Sequence, residues 1–213
     1  MKTYPSIKHS GSMAQGEDCH VFVKYDGSNL RFEWSQKQGW YKFGTRKTMF
    51  DESNEFYGPA INLFRQRYAD GLEQVFRNTK IFRGIKSVVV FAEWFGKYSF
   101  AGQHRKNDPK TLILFDVNPN KKGFLSPSEF IDCFGHLEIA ECISREKLDQ
   151  EFIDQVKSGS YDCSSKYSIV NQVPEGVICK GGKGHNLWMC KIKTQNYLDQ
   201  LKENLGESWE KYW

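Results

Sequence analysis

The stretch VFVKYDGSNLRFEW, Val21–Trp34, decides how the chain is read, because it sets Lys24 and Asp26 beside Gly27 inside an otherwise strand-like run. An unpaired buried ammonium is expensive, so a lysine there needs a partner or a use. On either side of a Gly27-Ser28 turn, CHVFVKYD and NLRFEWSQ are rich in β-branched and aromatic residues and predict two antiparallel strands. GWYKFGTR, after a further glycine, predicts a third.

Working outward, residues 1–17 are polar and punctuated by Pro5, Gly11 and Gly16, which predicts a loosely packed lead-in. In YGPAINLFRQRYADGLEQVFRNT the apolar residues Ile61, Phe64, Tyr68, Leu72, Val75 and Phe76 recur at three- and four-residue intervals, and Pro59 stands near the start. Both features predict a helix over 57–79. SVVVFAEWFG and TLILFDVN are continuous apolar runs suited to the middle of a sheet. The polar, basic KYSFAGQHRKNDPK between them reads as a loop. SPSEFIDCFGHL and SREKLDQEFIDQVKSG predict amphipathic helices, the second opening on Ser144 as its N-cap. EGVICKGG and LWMCKIKT predict the last strands, and NYLDQLKENLGESWEKYW a terminal helix with Leu198, Leu201 and Leu205 on one stripe. Antiparallel strands with helices segregated between them make an α+β domain. No repeat, low-complexity tract or charge block marks a linker, so one domain over 1–213 is expected.

The chain carries 30 Lys and Arg against 26 Asp and Glu, a formal net charge of +4, which permits a polyanionic partner without demanding one. The six cysteines include no C-x-x-C pair and no zinc spacing, so reduced thiols are expected. No apolar run has the length of a membrane span, and MKTYPSIKHSGSM lacks the hydrophobic region of a secretion signal. A cytoplasmic protein without membrane contact is the expectation.

Five short stretches place a lysine, arginine or carboxylate inside or at the end of a predicted strand: Lys24-Tyr25-Asp26-Gly27, Gly44-Thr45-Arg46, Glu93 in FAEWFG, Glu175 to Lys180 in EGVICK, and Lys191 with Lys193 in CKIK. Singly, each reads best as a solvated strand residue. In this order they resemble the covalent nucleotidyltransferase superfamily of polynucleotide ligases and messenger-RNA capping enzymes. K-x-D-G is matched at Lys24–Gly27, the third motif at Phe91-Ala92-Glu93 with Phe115-Asp116 following, E-G-x-x-x-K at Glu175–Lys180, and K-x-K at Lys191–Lys193. The resemblance covers about 20 to 194. Gly27-Ser28-Asn29 is similar to the RNA-ligase branch, the second class of phage RNA ligases in particular, although that class commonly has histidine where Asp26 stands. The choice between RNA and DNA stays open on this pattern.

The resemblance implies an adenylation domain of the ligase type, ATP-grasp-like, in which a lysine amine attacks the α-phosphorus of ATP and forms a lysyl-AMP. It implies Lys24 as nucleophile, with Lys180, Lys191 and Lys193 as catalytic cations. Val23, Asn29, Arg46, Glu93 and Phe115 join these four lysines in nucleotide binding, Phe115 as the adenine-stacking aromatic. Magnesium or manganese would be held by Glu175 and Glu93. The attacking amine must be neutral, so the pKa of Lys24 is expected to fall under neighbouring cations and desolvation. Apart from the resemblance, Phe115 reads as core, Asp116 as a strand-end cap, Tyr25 and Trp94 as packing, and His104, His136 and His185 as surface. The loop residues Lys97, Tyr98, Phe100, His104, Arg105, Lys106 and Lys110 combine basic and aromatic groups in the manner of a single-strand contact.

The expected function is RNA repair: AMP transferred to a 5′-phosphate and attack by a 3′-hydroxyl, on nicked or broken RNA or DNA, in a bacterial cell or phage-infected host. A minimal DNA ligase, a GTP-using capping-type transferase and a non-catalytic nucleotide- or RNA-binding module are the alternatives. About 20 residues follow Lys193, with no OB or other second domain evident, so a partner protein supplying one is expected.

Overall fold

The computed structural model describes residues 3–10, 16–97, 108–165 and 173–212. Two five-stranded sheets carry the fold. In the first the order is β1-β10-β9-β2-β8, with β1 Lys8–His9, β2 Asp18–Val23, β8 Cys142–Lys147, β9 Gly176–Gly181 and β10 Trp188–Lys193. In the second it is β5-β4-β3-β6-β7, with β3 Ser28–Ser35, β4 Gly39–Thr45, β5 Met49–Phe50, β6 Ser87–Phe95 and β7 Thr111–Pro119. All neighbours are antiparallel except β1, which runs parallel to β10. The mixed α+β architecture read from the sequence is the one observed.

The opening stretch links the sheets: β2 ends at Val23 in the first and β3 begins at Ser28 in the second. Gly27 sits at that passage because a Cβ there would lie 2.5 Å from the Trp94 carbonyl oxygen. On β3, Leu30, Phe32 and Trp34 alternate onto the face that packs on the helical layer. That layer is one continuous helical run, α1 Gly58–Phe64, a π turn Arg65–Ala69 and α2 Asp70–Asn78. The π turn carries Tyr68, whose hydroxyl donates to the carbonyls of Leu112 (2.7 Å) and Glu138 (2.8 Å). Phe32 stacks on Phe64 at 3.9 Å between centroids, so the sheet-helix core is aromatic to its centre. α3 Pro127–Phe134 opens on a complete Ser126–Glu129 capping box. A second core lies on the first sheet beneath α4 Gln150–Ser158, from Cys19, Val21, Cys179 and Cys190 against Phe152, Ile153 and Val156.

Two sequence readings are corrected. The helix expected from Ser144 begins instead at Gln150, capped by Asp149, which accepts from the Phe152 amide at 2.9 Å. Cys142–Lys147 is an edge strand paired with β2, from Asp18↔Lys147 to Phe22↔Cys142. Its partner is more than a hundred residues away, and a polar edge strand has no local periodicity to reveal it. The lead-in is anchored: Tyr4 is buried and β1 pairs with β10. Tyr98, Phe100, His104, Arg105 and Lys106 of the basic loop lie outside the described residues. Among the described residues, no helix is long and apolar enough to cross a membrane.

Candidate active site

A cleft of about 560 Å³ opens where the sheets meet. Val23, Lys24, Asn29, Arg46, Glu93, Phe115, Glu175, Lys180, Lys191 and Lys193 all line it, although seven strands or their ends supply them. Lys24 leaves the end of β2, and its backbone amide is fixed to the Gly176 carbonyl at 3.0 Å. Gly176 has φ +138°, and a Cβ there would stand 2.0 Å from the Ile192 oxygen, so this position accepts glycine alone. That close approach brings Glu175 between the strand bearing Lys24 and the strand bearing Lys193.

Glu175 is the hub. One oxygen, Oε1, accepts from Lys24 Nζ at 2.8 Å and from Lys193 Nζ at 3.0 Å. Asp26 accepts from the Tyr197 hydroxyl on α5 Gln195–Leu205 at 3.2 Å, while its other oxygen is buried with no hydrogen-bond partner. Lys180 is only 5% exposed and is pinned by the Phe115 carbonyl (2.9 Å) and Asp116 Oδ2 (3.0 Å). Tyr4 donates to the same Asp116 oxygen at 2.9 Å and sets its ring edge-on to Phe115 at 5.0 Å. Asp116 is therefore no strand-end cap. It is a buried anion inside β7, where the pairing with β6 shifts register, and it holds a cleft lysine.

Electrostatics follow from crowding. Burial pulls the Lys24 ammonium down, but Glu175, Glu93 and Asp26 together outweigh it, and its pKa stands above the ordinary lysine value. The expected depression is thus reversed here, because the nearest charged groups are carboxylates rather than lysines. Burial, with Glu175 as a like charge, raises Asp26 and Glu93 to about 8 each. Lys191 falls to about 8 through burial and its neighbours Lys193 and Lys24. Lys193 is lowered too, chiefly by burial.

No group of three or more His, Cys, Asp or Glu in a ligating arrangement occurs among the described residues. The carboxylates that do face the cleft suit a hard cation that keeps most of its water and takes oxygens from phosphate. Burial and the like charge of Glu175 hold the Asp26 and Glu93 carboxyls well above the ordinary range, a crowding of negative charge that such an ion would relieve.

Placement bears on the remaining readings of single residues. Trp94 is buried and serves packing, while Tyr25 stacks on Phe95 at 5.0 Å, bonds to Ser165 and also lines the cleft. His136 and His185 are exposed and do not line the cleft. Sequence reasoning missed Tyr4 and Tyr197, both buried and both on the cleft wall. Tyr197 stood in plain view on the predicted terminal helix; for Tyr4 only a two-residue strand marks the anchoring segment.

A family model described as RNA ligase matches residues 17–193. No curated protein sequence matches. Solved structures of a Naegleria gruberi RNA ligase share the fold. One, a mutant with ATP and Mn, has a TM-score of 0.69 and 15% identity over 95% of this chain and 59% of that one. A mutant with AMP and Mn gives 0.68 and 13% over 94% and 58%. The protein with PPi gives 0.67 and 14% over 95% and 58%. The chain thus spans under three fifths of the length of these structures.

Proposed function

The chain belongs to the RNA ligase family, and from that premise we propose that it is an ATP-dependent RNA ligase working through a Lys24-bound AMP. The observation that carries the reading is the Lys24 ammonium held 2.8 Å from Glu175 in a cleft that gathers Lys180, Lys191 and Lys193 around one floor. A single primary amine surrounded by phosphate-binding cations is the equipment for phosphoryl transfer with a covalent intermediate.

In the first step Lys24 passes its ammonium proton to Glu175 and from there to water; the neutral Nζ attacks the α-phosphorus, an N–P bond forms, and the P–O bond to pyrophosphate breaks with its electron pair leaving on pyrophosphate. Glu175 fixes the direction of that amine. Its second partner, Lys193, keeps the carboxylate in place when Lys24 turns to phosphorus. Lys191 and Lys193 are positioned for the phosphoryl oxygens, where fixed charge counts most in the transition state. Lys180, buried and locked by Asp116 and Phe115, cannot swing away, so it presents a fixed cation. Phe115, Ile178 and Val23 offer an apolar wall to the base. A divalent cation, held by Glu175 and Glu93, would supply positive charge against the phosphates and offset the carboxylates that hold the Lys24 proton. The solved relatives carry ATP and Mn, AMP and Mn, and PPi, which are the substrate and product of an adenylation. The AMP then passes to a 5′-phosphate, and a 3′-hydroxyl displaces it.

The test is incubation with α-labelled ATP or GTP and Mg2+ or Mn2+, then denaturation. ATP label retained by wild type and lost in Lys24→Ala is the expected outcome. Preference for GTP would favour capping chemistry, and absence of label with either nucleotide would leave a binding module.

A further inference from the structure

At the end of the second sheet away from the cleft, three turns meet. Gln36 after β3 bonds to the Lys86 carbonyl, and Asn120 after β7 bonds to the Ser87 carbonyl, both at 3.0 Å. Lys122 Nζ donates to the Ile81 carbonyl at 2.5 Å. Together the turns bring Lys37, Lys80, Arg83, Lys86, Lys121 and Lys122 to one exposed end of the sheet. The stretches 34–50, 78–92 and 117–128 that supply them contain no Asp or Glu. None of the six makes an ion pair among the described residues, and the nearby Glu73 is already tied to Arg77 at 2.8 Å. Lys121 has φ +70°, a left-handed conformation unusual for a non-glycine residue, and the turn it forms leaves Lys121 exposed beside Lys122, whose ammonium is held at the Ile81 carbonyl.

The charge also runs back to the cleft. β4 sits near the sheet edge, covered by β5 only at Phe43 and Gly44, and carries Lys42 on its exposed length. It ends at Arg46 and Lys47 on the cleft wall. From Glu93 to Ser87 along β6 is six residues, about 20 Å at ~3.3 Å per residue. Single edge lysines guard against strand pairing, but that purpose does not require three loops to deliver six cations without one acid.

We infer that this basic end, continued by Lys42 to Arg46 and Lys47, is a docking track for the phosphate backbone of an RNA duplex whose broken end lies in the cleft. The inference rests on the ligase reading. A nucleic acid fits better than an anionic membrane because surface helices and patches that bind lipid add apolar groups. The exposed large hydrophobic residues among those described, Met49 and Phe56, lie on the β5 side beyond Thr48, not in the patch. Phosphate contacts of this kind add affinity without sequence preference and make it salt-dependent.

The test uses the full chain and nicked RNA duplexes whose arms on each side of the nick are lengthened in turn, from four to twelve base pairs. Binding is followed by anisotropy across a salt series. Wild type is expected to tighten on lengthening one arm. The triple variant Lys80→Glu, Arg83→Glu, Lys86→Glu is expected to lose that gain, at least about tenfold on the long arm, with a salt slope shallower by roughly 2 to 3. Its affinity for the short-arm duplex and its self-adenylation should match wild type. Equal loss on short and long arms, wild-type binding of the long arm, or an effect confined to vesicles containing anionic lipid would each overturn the track. Absence of self-adenylation in wild type would overturn the ligase reading and the track with it, whereas intact self-adenylation with unchanged duplex binding removes the track alone.

Discussion

Asp26 shows most directly how the cleft stores a cost at a single residue. Its carboxyl, driven by burial and by Glu175, binds a proton up to about 8, while in an unfolded chain it would release it near 4. The folded state therefore binds more protons between those values, and stability falls as pH rises from about 4 to 8. Glu93 contributes in the same direction. Asp26→Asn should accordingly flatten the stability curve. Thermal unfolding of the nucleotide-free protein is expected to show a larger gain for the variant at pH 8 than at pH 6, and an equal effect at both would contradict the assignment. Lys24 has the same sign in a more alkaline window: its raised pKa adds stability that is fully present below the unfolded lysine value and is lost as pH climbs through the folded one. Tyr4 tests the lysine support. Tyr4→Phe deletes one buried hydrogen bond to Asp116, a charged acceptor, and should slow adenylation on the order of tenfold by loosening Lys180 while lowering the melting temperature by about 3 to 8 °C. An unaltered rate would make Tyr4 a packing residue.

Among the elements, β9 is the one on which the site depends, since Glu175 precedes it, Gly176 begins it and Lys180 is its fifth residue. Gly176→Ala would push a methyl into the Ile192 carbonyl at a φ that non-glycine residues avoid. The expected result is destabilisation of several kcal/mol, combining overpacking with backbone strain, read by denaturant unfolding. A melt within a degree of wild type would show that β9 and β10 can separate freely. Legibility followed the same physics. The strands around Val21–Trp34, the long helix and β6 with β7 were readable because each carries its own apolar pattern. β1, β5 and β8 were not, because each is short or polar and is held by a partner distant in sequence. The charged residues of the cleft were visible as misfits inside strands, whereas the Tyr4–Asp116–Lys180 chain joins three separate segments and leaves no local mark.

For the whole molecule, function comes from two sheets meeting at an edge: the first brings Lys24, Glu175, Lys180, Lys191 and Lys193, the second Asn29, Arg46, Glu93 and Phe115. Neither sheet holds a usable set alone, so the passage from β2 to β3 through Lys24–Gly27 is where fold and chemistry coincide. The central claim is that Lys24, and not one of the lysines packed beside it, becomes covalently adenylated. The most direct measurement is mass spectrometry of the intact protein after incubation with ATP and a divalent cation, followed by mapping of the modified peptide. A mass gain of one adenylyl group located on Lys24 is the predicted result; an unmodified chain, or AMP carried by Lys180, Lys191 or Lys193, would contradict it.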